Sequence, residues 1–204
     1  MPLLNKRLII MLKDPRLGTV KTRLGRDIGG VDATWWYRHQ TRRLLRELRD
    51  PRWSIHLSIA PDTAINTPAF PTYIARQPQG SGNLGDRMRH AFETIPAGPA
   101  VLIGSDVPNI TPRLIADAFR TLGHKETVFG PAPDGGYWLV GIKRRLPPRL
   151  FENVRWSTEH ALSDTLATLG DATIGYVAEM QDVDRVADLH ALRDRHIQSA
   201  KEPT

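Results

Sequence analysis

Apolar residues recur along the chain in two alternating periods. Arg7 to Leu12 is a leucine- and isoleucine-rich run that stops in a loop with Pro15 and Gly18, as expected of a buried first strand. From about Asp32 to Arg49 the apolar positions return at helical spacing and predict an amphipathic helix. Ile55 to Ala60 predicts a second strand that stops at Pro61, and Thr72 to Arg76 a third and weaker one. Between Asn83 and Ile95, Leu84, Met88, Ala91, Phe92 and Ile95 share one helical face behind Asn83 as N-cap.

Ala100 to Ile103 is short and wholly apolar, as a central strand covered on both faces should be. The following TPRLIADAFRTL starts a helix with Thr111 as N-cap and Pro112 at the first helical position. Val128 to Phe129 and Tyr137 to Ile142 predict two strands around the turn GPAPDGG. Thr158 to Leu169 predicts a helix, Thr173 to Val177 a late strand and Asp184 to Ile197 a final helix, with fraying only in the last few residues. This alternation predicts an α/β fold, a three-layer α/β/α Rossmann-like sandwich on a mainly parallel, mixed sheet.

Size and composition narrow this picture. A length of 204 residues fits one domain, residues 1–204, since domains usually hold ~100–200 residues. With 40% hydrophobic and 25% charged residues the chain can bury an ordinary core. There are no cysteines, so disulfides and thiolate metal sites are excluded and any metal must take oxygen or imidazole ligands. The opening MPLLNKRLIIML is too short an apolar run for a signal peptide core or a membrane span, and the expected location is the cytoplasm. The net charge of +6 favours anionic partners. Much of it lies in residues 38–52, where arginines interleave with leucines; that pattern reads as the solvated face of the amphipathic helix. No recognised nucleic-acid module accompanies it, and nucleic acid is not an expected partner.

Three loops could carry chemistry. KDPRLGTVKTRLG (13–25) follows the first strand, and in open α/β sheets ligands bind beyond the carboxyl ends of strands. Gly18 would let backbone approach a ligand, Lys21 offers a point charge and Arg23 a planar fork for phosphate oxygens. The spacing is not that of a Walker loop, and the same residues also fit a basic surface loop. In VLIGSDVPNITP, Asp106 stands just past the central strand, where a carboxylate could hold a hard cation; alternatively Asp106 or Ser105 caps loop backbone. In GPAPDGGYWLVGI, Asp134 before Gly135 and Gly136 is either a tight hairpin turn or a place where a ligand lies against bare backbone, with Asp134 contacting a sugar or acceptor hydroxyl or serving as general base. Further on, QDVDRVAD (181–188) offers Asp184 as an N-cap with Asp188 in the first turn of the helix, and any functional part depends on its facing Asp106. Trp156 and Ser157 offer a ring and a hydroxyl, although a core tryptophan and a helix cap read equally well.

Taken together, Lys13–Leu24, Gln77–Met88, Gly104–Pro108, Gly130–Gly141, Trp156–Thr158 and Asp182–Asp184 resemble, in order and over nearly the whole chain, a small bacterial family of the nucleotide-diphospho-sugar transferase superfamily with the glycosyltransferase A fold. The chain departs from it at Arg185 and Val186, where relatives have threonine and proline, and at Val107, where many have cysteine. The resemblance implies a nucleotide site in which Asp106 and Asp184 hold Mg2+ or Mn2+ and Lys21 and Arg23 neutralise phosphate charge. Lys13, Gly18, Asn83, Arg87, Ser105, Gly135, Gly136, Tyr137, Trp156 and Ser157 would line it. The implied reaction is metal-dependent glycosyl transfer from a nucleotide-diphospho-sugar to a small-molecule acceptor. Nucleotidylyl transfer from a nucleoside triphosphate to a phosphorylated acceptor is the closest alternative, and a non-catalytic nucleotide-binding protein a third. Oligomeric state is not legible in the sequence.

Overall fold

The structure, a computed structural model, describes residues 6–199, and for residues 193–199 the backbone alone. The expected fraying of the last residues lies outside the described range. Strands β1 (Arg7–Lys13), β2 (Ser54–Ala60), β3 (Ala75–Pro78), β4 (Ala100–Gly104), β5 (Thr127–Pro131), β6 (Tyr137–Ile142) and β7 (Ile174–Tyr176) form one sheet in the order β3-β2-β1-β4-β6-β5-β7. The β3-β2-β1-β4 half is parallel, and β6 runs antiparallel to both β4 and β5. All other strands therefore present their carboxyl ends at one edge, where β6 begins.

Alternation along the strands sorts two cores. Leu8, Ile10 and Leu12 of β1 and Val101 and Ile103 of β4 point to the face covered by helices α2 (Gly30–Glu47) and α4 (Pro112–His124). Ile9, Ala100 and Leu102 point to the opposite face, under α3 (Leu84–Glu93) and α5 (Ala161–Ala167). This is the expected three-layer α/β/α sandwich, and Leu8–Leu12 of β1 and Ala100–Ile103 of β4 are apolar because both faces of these strands are covered.

The local signals explain most boundaries. Asn83 Oδ1 accepts from the Asp86 N–H at 3.1 Å and Asp86 Oδ2 from the Asn83 N–H at 2.9 Å, a capping box that starts α3. Thr111 Oγ1 accepts from the Leu114 N–H, with Pro112 opening α4. Four boundaries differ from the sequence expectation. The loop after β1 holds a short helix, α1 (Thr22–Ile28), anchored by buried Leu24, and α2 follows it from Gly30. The third strand lies at Ala75–Pro78, later than expected, because the residues that bury it are polar: Gln77 Nε2 donates to the Ala91 carbonyl at 2.9 Å. Helix α5 is shorter than the Thr158–Leu169 pattern, since Thr158 is spent in a turn, donating to the Arg155 carbonyl. The last helix, α6 (Val186–Ser199), begins two residues after Asp184. No helix among the described residues is long and apolar enough to cross a membrane.

Ile103 is fully buried at the centre of the sheet. Ile103→Ala should lower unfolding free energy by about 2–5 kcal/mol, read from the urea midpoint at unchanged slope; a loss under about 1 kcal/mol would mean that this strand is not the packed centre.

Candidate functional site

The loops that leave β1 and β4, the β5–β6 turn and the segment before α6 meet at the carboxyl edge and enclose a cavity of about 660 Å³. The final segment is laced across this edge by backbone. Val177 N–H donates to the Phe129 carbonyl, Met180 N–H to the Pro131 carbonyl and Val183 N–H to the Asp106 carbonyl. Residues 182–184 thereby come to lie against the β4 loop, nearly eighty positions away in sequence.

Lys21 is the N-cap of α1 in the left-handed region, φ 48 and ψ 44, a conformation that costs a residue with a side chain about 1–3 kcal/mol. Its side chain is only 2% exposed, and its ammonium donates to the Val183 carbonyl at 2.6 Å. Asp106 Oδ2 is 3.1 Å away and Asp184 Oδ1 3.7 Å. The ring of Trp36 lies beneath it, 5.8 Å from the centroid. Arg23, largely exposed, holds the other oxygen of Asp184 at 2.7 Å. Asp184 therefore does not cap α6; Asp188 Oδ2 takes that part, accepting from the N–H groups of Asp184 and Arg185, while Asp27 accepts from Val186.

Tyr37 of α2 joins the ends of the two central strands. Its hydroxyl oxygen accepts from the Lys13 N–H at 2.9 Å and lies 3.1 Å from Ser105 Oγ. Burial, with the Asp106 charge in addition, pushes this phenol up to about 12, so it acts as a neutral hydrogen-bonding post. Arg87 reaches the opposite wall, where Gln79 Oε1 accepts from it at 3.4 Å and Gln79 Nε2 donates to the carbonyls of Leu12 and Ser58.

In the β5–β6 turn, Asp134 Oδ1 accepts from the Gly136 N–H at 2.9 Å and the carboxylate remains exposed at the cavity. Gly135 has φ 81 and sits against the backbone of Glu159, where a Cβ would collide with the carbonyl. The turn requires glycine there for packing as well as for its dihedral. Tyr137 and Trp156 pack edge-on, 6.4 Å between ring centres, and burial pushes the Tyr137 hydroxyl upward. Ser157 beside them is left-handed, φ 61.

Of the residues singled out in the sequence, Lys13, Lys21, Arg23, Arg87, Ser105, Asp106, Asp134, Gly136, Tyr137, Trp156, Ser157 and Asp184 all line the cavity. Gly18, Asn83 and Gly135 stand outside the lining: Gly18 shapes the β1 loop with φ 78, Asn83 is occupied in the capping box and Gly135 faces Glu159. Tyr37, Gln79, Glu159 and Asp182 also line it. Asp182 was visible in the Asp-Val-Asp spacing, whereas Tyr37 lies within a helical core pattern that carries no mark of a site.

The fold is that of nucleotide-diphospho-sugar transferase structures, related to both glycosyltransferase A and nucleotidylyltransferase folds. Residues 44–158, more than half of the chain, match a family described as uncharacterized proteins conserved in bacteria (DUF2064), and the chain belongs to it. Among solved structures the chain is similar to a protein of Desulfovibrio desulfuricans G20 provisionally named a nucleotide-diphospho-sugar transferase. The two are 27% identical, with a TM-score of 0.80 over 93% of this chain and 87% of that one. The fold is shared with 4-diphosphocytidyl-2C-methyl-D-erythritol synthase from Anaerococcus prevotii DSM 20548, at 12% identity and a TM-score of 0.62 over 96% of each chain. It is shared also with Rv0371c of Mycobacterium tuberculosis H37Rv in complex with manganese, at 16% identity and a TM-score of 0.55 over 93% of this chain and 98% of that one. No curated protein matches the chain significantly.

The crowding of carboxylates has a measurable consequence at Asp182. Its carboxyl is raised to about 6, chiefly by burial; Lys21 draws it down, and Asp184, Asp106 and Asp134 push it up. An acid raised above its unfolded value, near 4, binds its proton more tightly when folded, so this group's contribution to stability falls as pH rises from about 4 to 6. Asp182→Asn should therefore melt higher than the parent at pH 8 in EDTA, with the gap closing towards pH 5. Equal melting temperatures at pH 8 would contradict this reading of the charge cluster.

Proposed function

We propose that the chain is a metal-dependent transferase that uses a nucleotide-diphospho-sugar and passes the glycosyl group to a small-molecule acceptor. The observation that carries this reading is the pairing, at one sheet edge, of Asp106 and Asp184 with Lys21 and Arg23 around a cavity of about 660 Å³. Cations beside carboxylates suit a diphosphate with its counter-ion, the cations meeting phosphate oxygens and the carboxylates the ion. The likeness to the Desulfovibrio desulfuricans protein supports the sugar-nucleotide class.

The residues present fit a hard divalent ion. The donors are carboxylate oxygens from two segments, and no denser cluster of His, Cys, Asp or Glu capable of holding a metal alone occurs among the described residues. That is the pattern of Mg2+ or Mn2+ sites completed by phosphate oxygens and water rather than by a protein cage. When bound there, such an ion supplies positive charge to the diphosphate oxygens as negative charge builds on the leaving group.

The chain's own residues do the rest. Arg23, Arg87 and Lys13 supply donors to phosphate oxygens from the two walls. Gly136 leaves its wall without a side chain and also fixes the Asp134 carboxylate through its N–H, leaving the second carboxylate oxygen available to take the proton of an acceptor hydroxyl. The packed rings of Tyr137 and Trp156 give that side an apolar wall against which a sugar or acceptor ring can lie.

The test is turnover of nucleotide sugars with manganese, with or without acceptors, in the parent and in Asp106→Asn. The reading predicts release of nucleoside diphosphate and a loss in the variant of about 100-fold or more. Full activity in Asp106→Asn would refute it. Pyrophosphate released from a nucleoside triphosphate, with no use of nucleotide sugars, would place the chain with nucleotidylyltransferases instead.

A further inference from the structure

The ammonium of Lys21 stands where the two metal-ligand candidates converge. Its three nearest oxygen partners are the Val183 carbonyl at 2.6 Å, Asp106 Oδ2 at 3.1 Å and Asp184 Oδ1 at 3.7 Å, and the side chain is all but sealed from water. A divalent ion on the same carboxylates sits about 2.0–2.1 Å from each donor oxygen. Lys21 is buried, whereas Asp106 and Asp184 are 47% and 38% exposed and meet it through one oxygen each; an ion that takes the same oxygens competes with the ammonium for them, because like charges a few ångströms apart repel. Lys21 is also held in a left-handed backbone conformation at the N-cap of a short helix, so conformational strain falls on the residue that bears the ammonium.

We propose that Lys21 is the resident cation of this site, a built-in competitor that a divalent ion displaces from Asp106 and Asp184. Resting on the diphosphate reading above, the inference adds an order to it. Without ligand Lys21 offsets part of the charge of the two carboxylates, and their affinity for the ion is low. A diphosphate provides a second set of anionic oxygens to which the freed ammonium turns, so ion and diphosphate bind with positive coupling, each raising the affinity for the other by the same factor. Arg23 does not duplicate this part: it is largely exposed, and its ion pair among the described residues is with Asp184.

The experiment is a manganese titration of the ligand-free protein, following the electron paramagnetic resonance signal of the free ion. Lys21→Met removes the charge, and Lys21→Gln removes it while keeping a donor for the Val183 carbonyl, which covers the case in which the methionine variant does not fold. The expected result is weak binding by the parent and binding at least tenfold tighter by either folded variant, abolished by adding Asp106→Asn. Unchanged or weaker binding by both Lys21 variants overturns the inference. If Asp106→Asn alone abolishes what the parent binds, the metal reading still stands in that event. If Asp106→Asn leaves manganese binding intact, the metal reading falls, and the inference with it.

Discussion

A buried ammonium between two carboxylates and a carbonyl joins the first loop of the chain to its last. Lys21 belongs to the turn after β1, Asp106 to the turn after β4, and Val183 and Asp184 to the segment that returns across the sheet. The ammonium is taken out of water while its carboxylate partners remain partly hydrated, so losing a partner leaves the buried charge on Lys21 less well compensated. The arrangement therefore fixes the position of the 182–184 segment as much as it prepares a site. The backbone bonds from Val177, Met180 and Val183 to β5 and the β4 loop hold that segment from the other side.

The sheet topology determines where this cluster can form. With β1 and β4 adjacent and parallel at the centre, their following loops emerge side by side, and the antiparallel β6 brings the Asp134 turn to the same edge. Tyr37 links the two central loops from beneath, and its burial keeps it neutral and directional. Strained backbone is found in the same region, at Lys21 and Ser157, both of which line the cavity. The cavity wall carries local strain and a desolvated charge, and the apolar faces of β1 and β4 supply the compensating stability.

The sequence was most legible where one physical effect acted alone. The apolar runs of β1 and β4, the Asn83 capping box and the Thr111–Pro112 start all have a single local cause, and they stand where that cause places them. Helix α1 escaped because one buried leucine in a basic, glycine-containing loop gives no period, and β3 shifted because buried glutamines replace the apolar residues that would have marked it. Asp106 and Asp134 were visible as carboxylates in turns at strand ends. What the chain order could not convey was the charge state of their surroundings: that Lys21 is buried against the carboxylates, that Arg23 shares Asp184, and that Tyr37 enters the site through the core of α2. Those facts depend on contacts across more than sixty residues of sequence.

The proposed role of this edge of the sheet is to bind a nucleotide diphosphate with its counter-ion. Thermal unfolding of the intact chain against a panel of nucleoside triphosphates and nucleotide sugars, each with and without manganese, tests it directly, since a ligand at ~100 times its dissociation constant stabilises the fold by about 2.7 kcal/mol. A shift of several degrees is expected for at least one nucleotide, larger with manganese than without. A panel with no shift under either condition would contradict it.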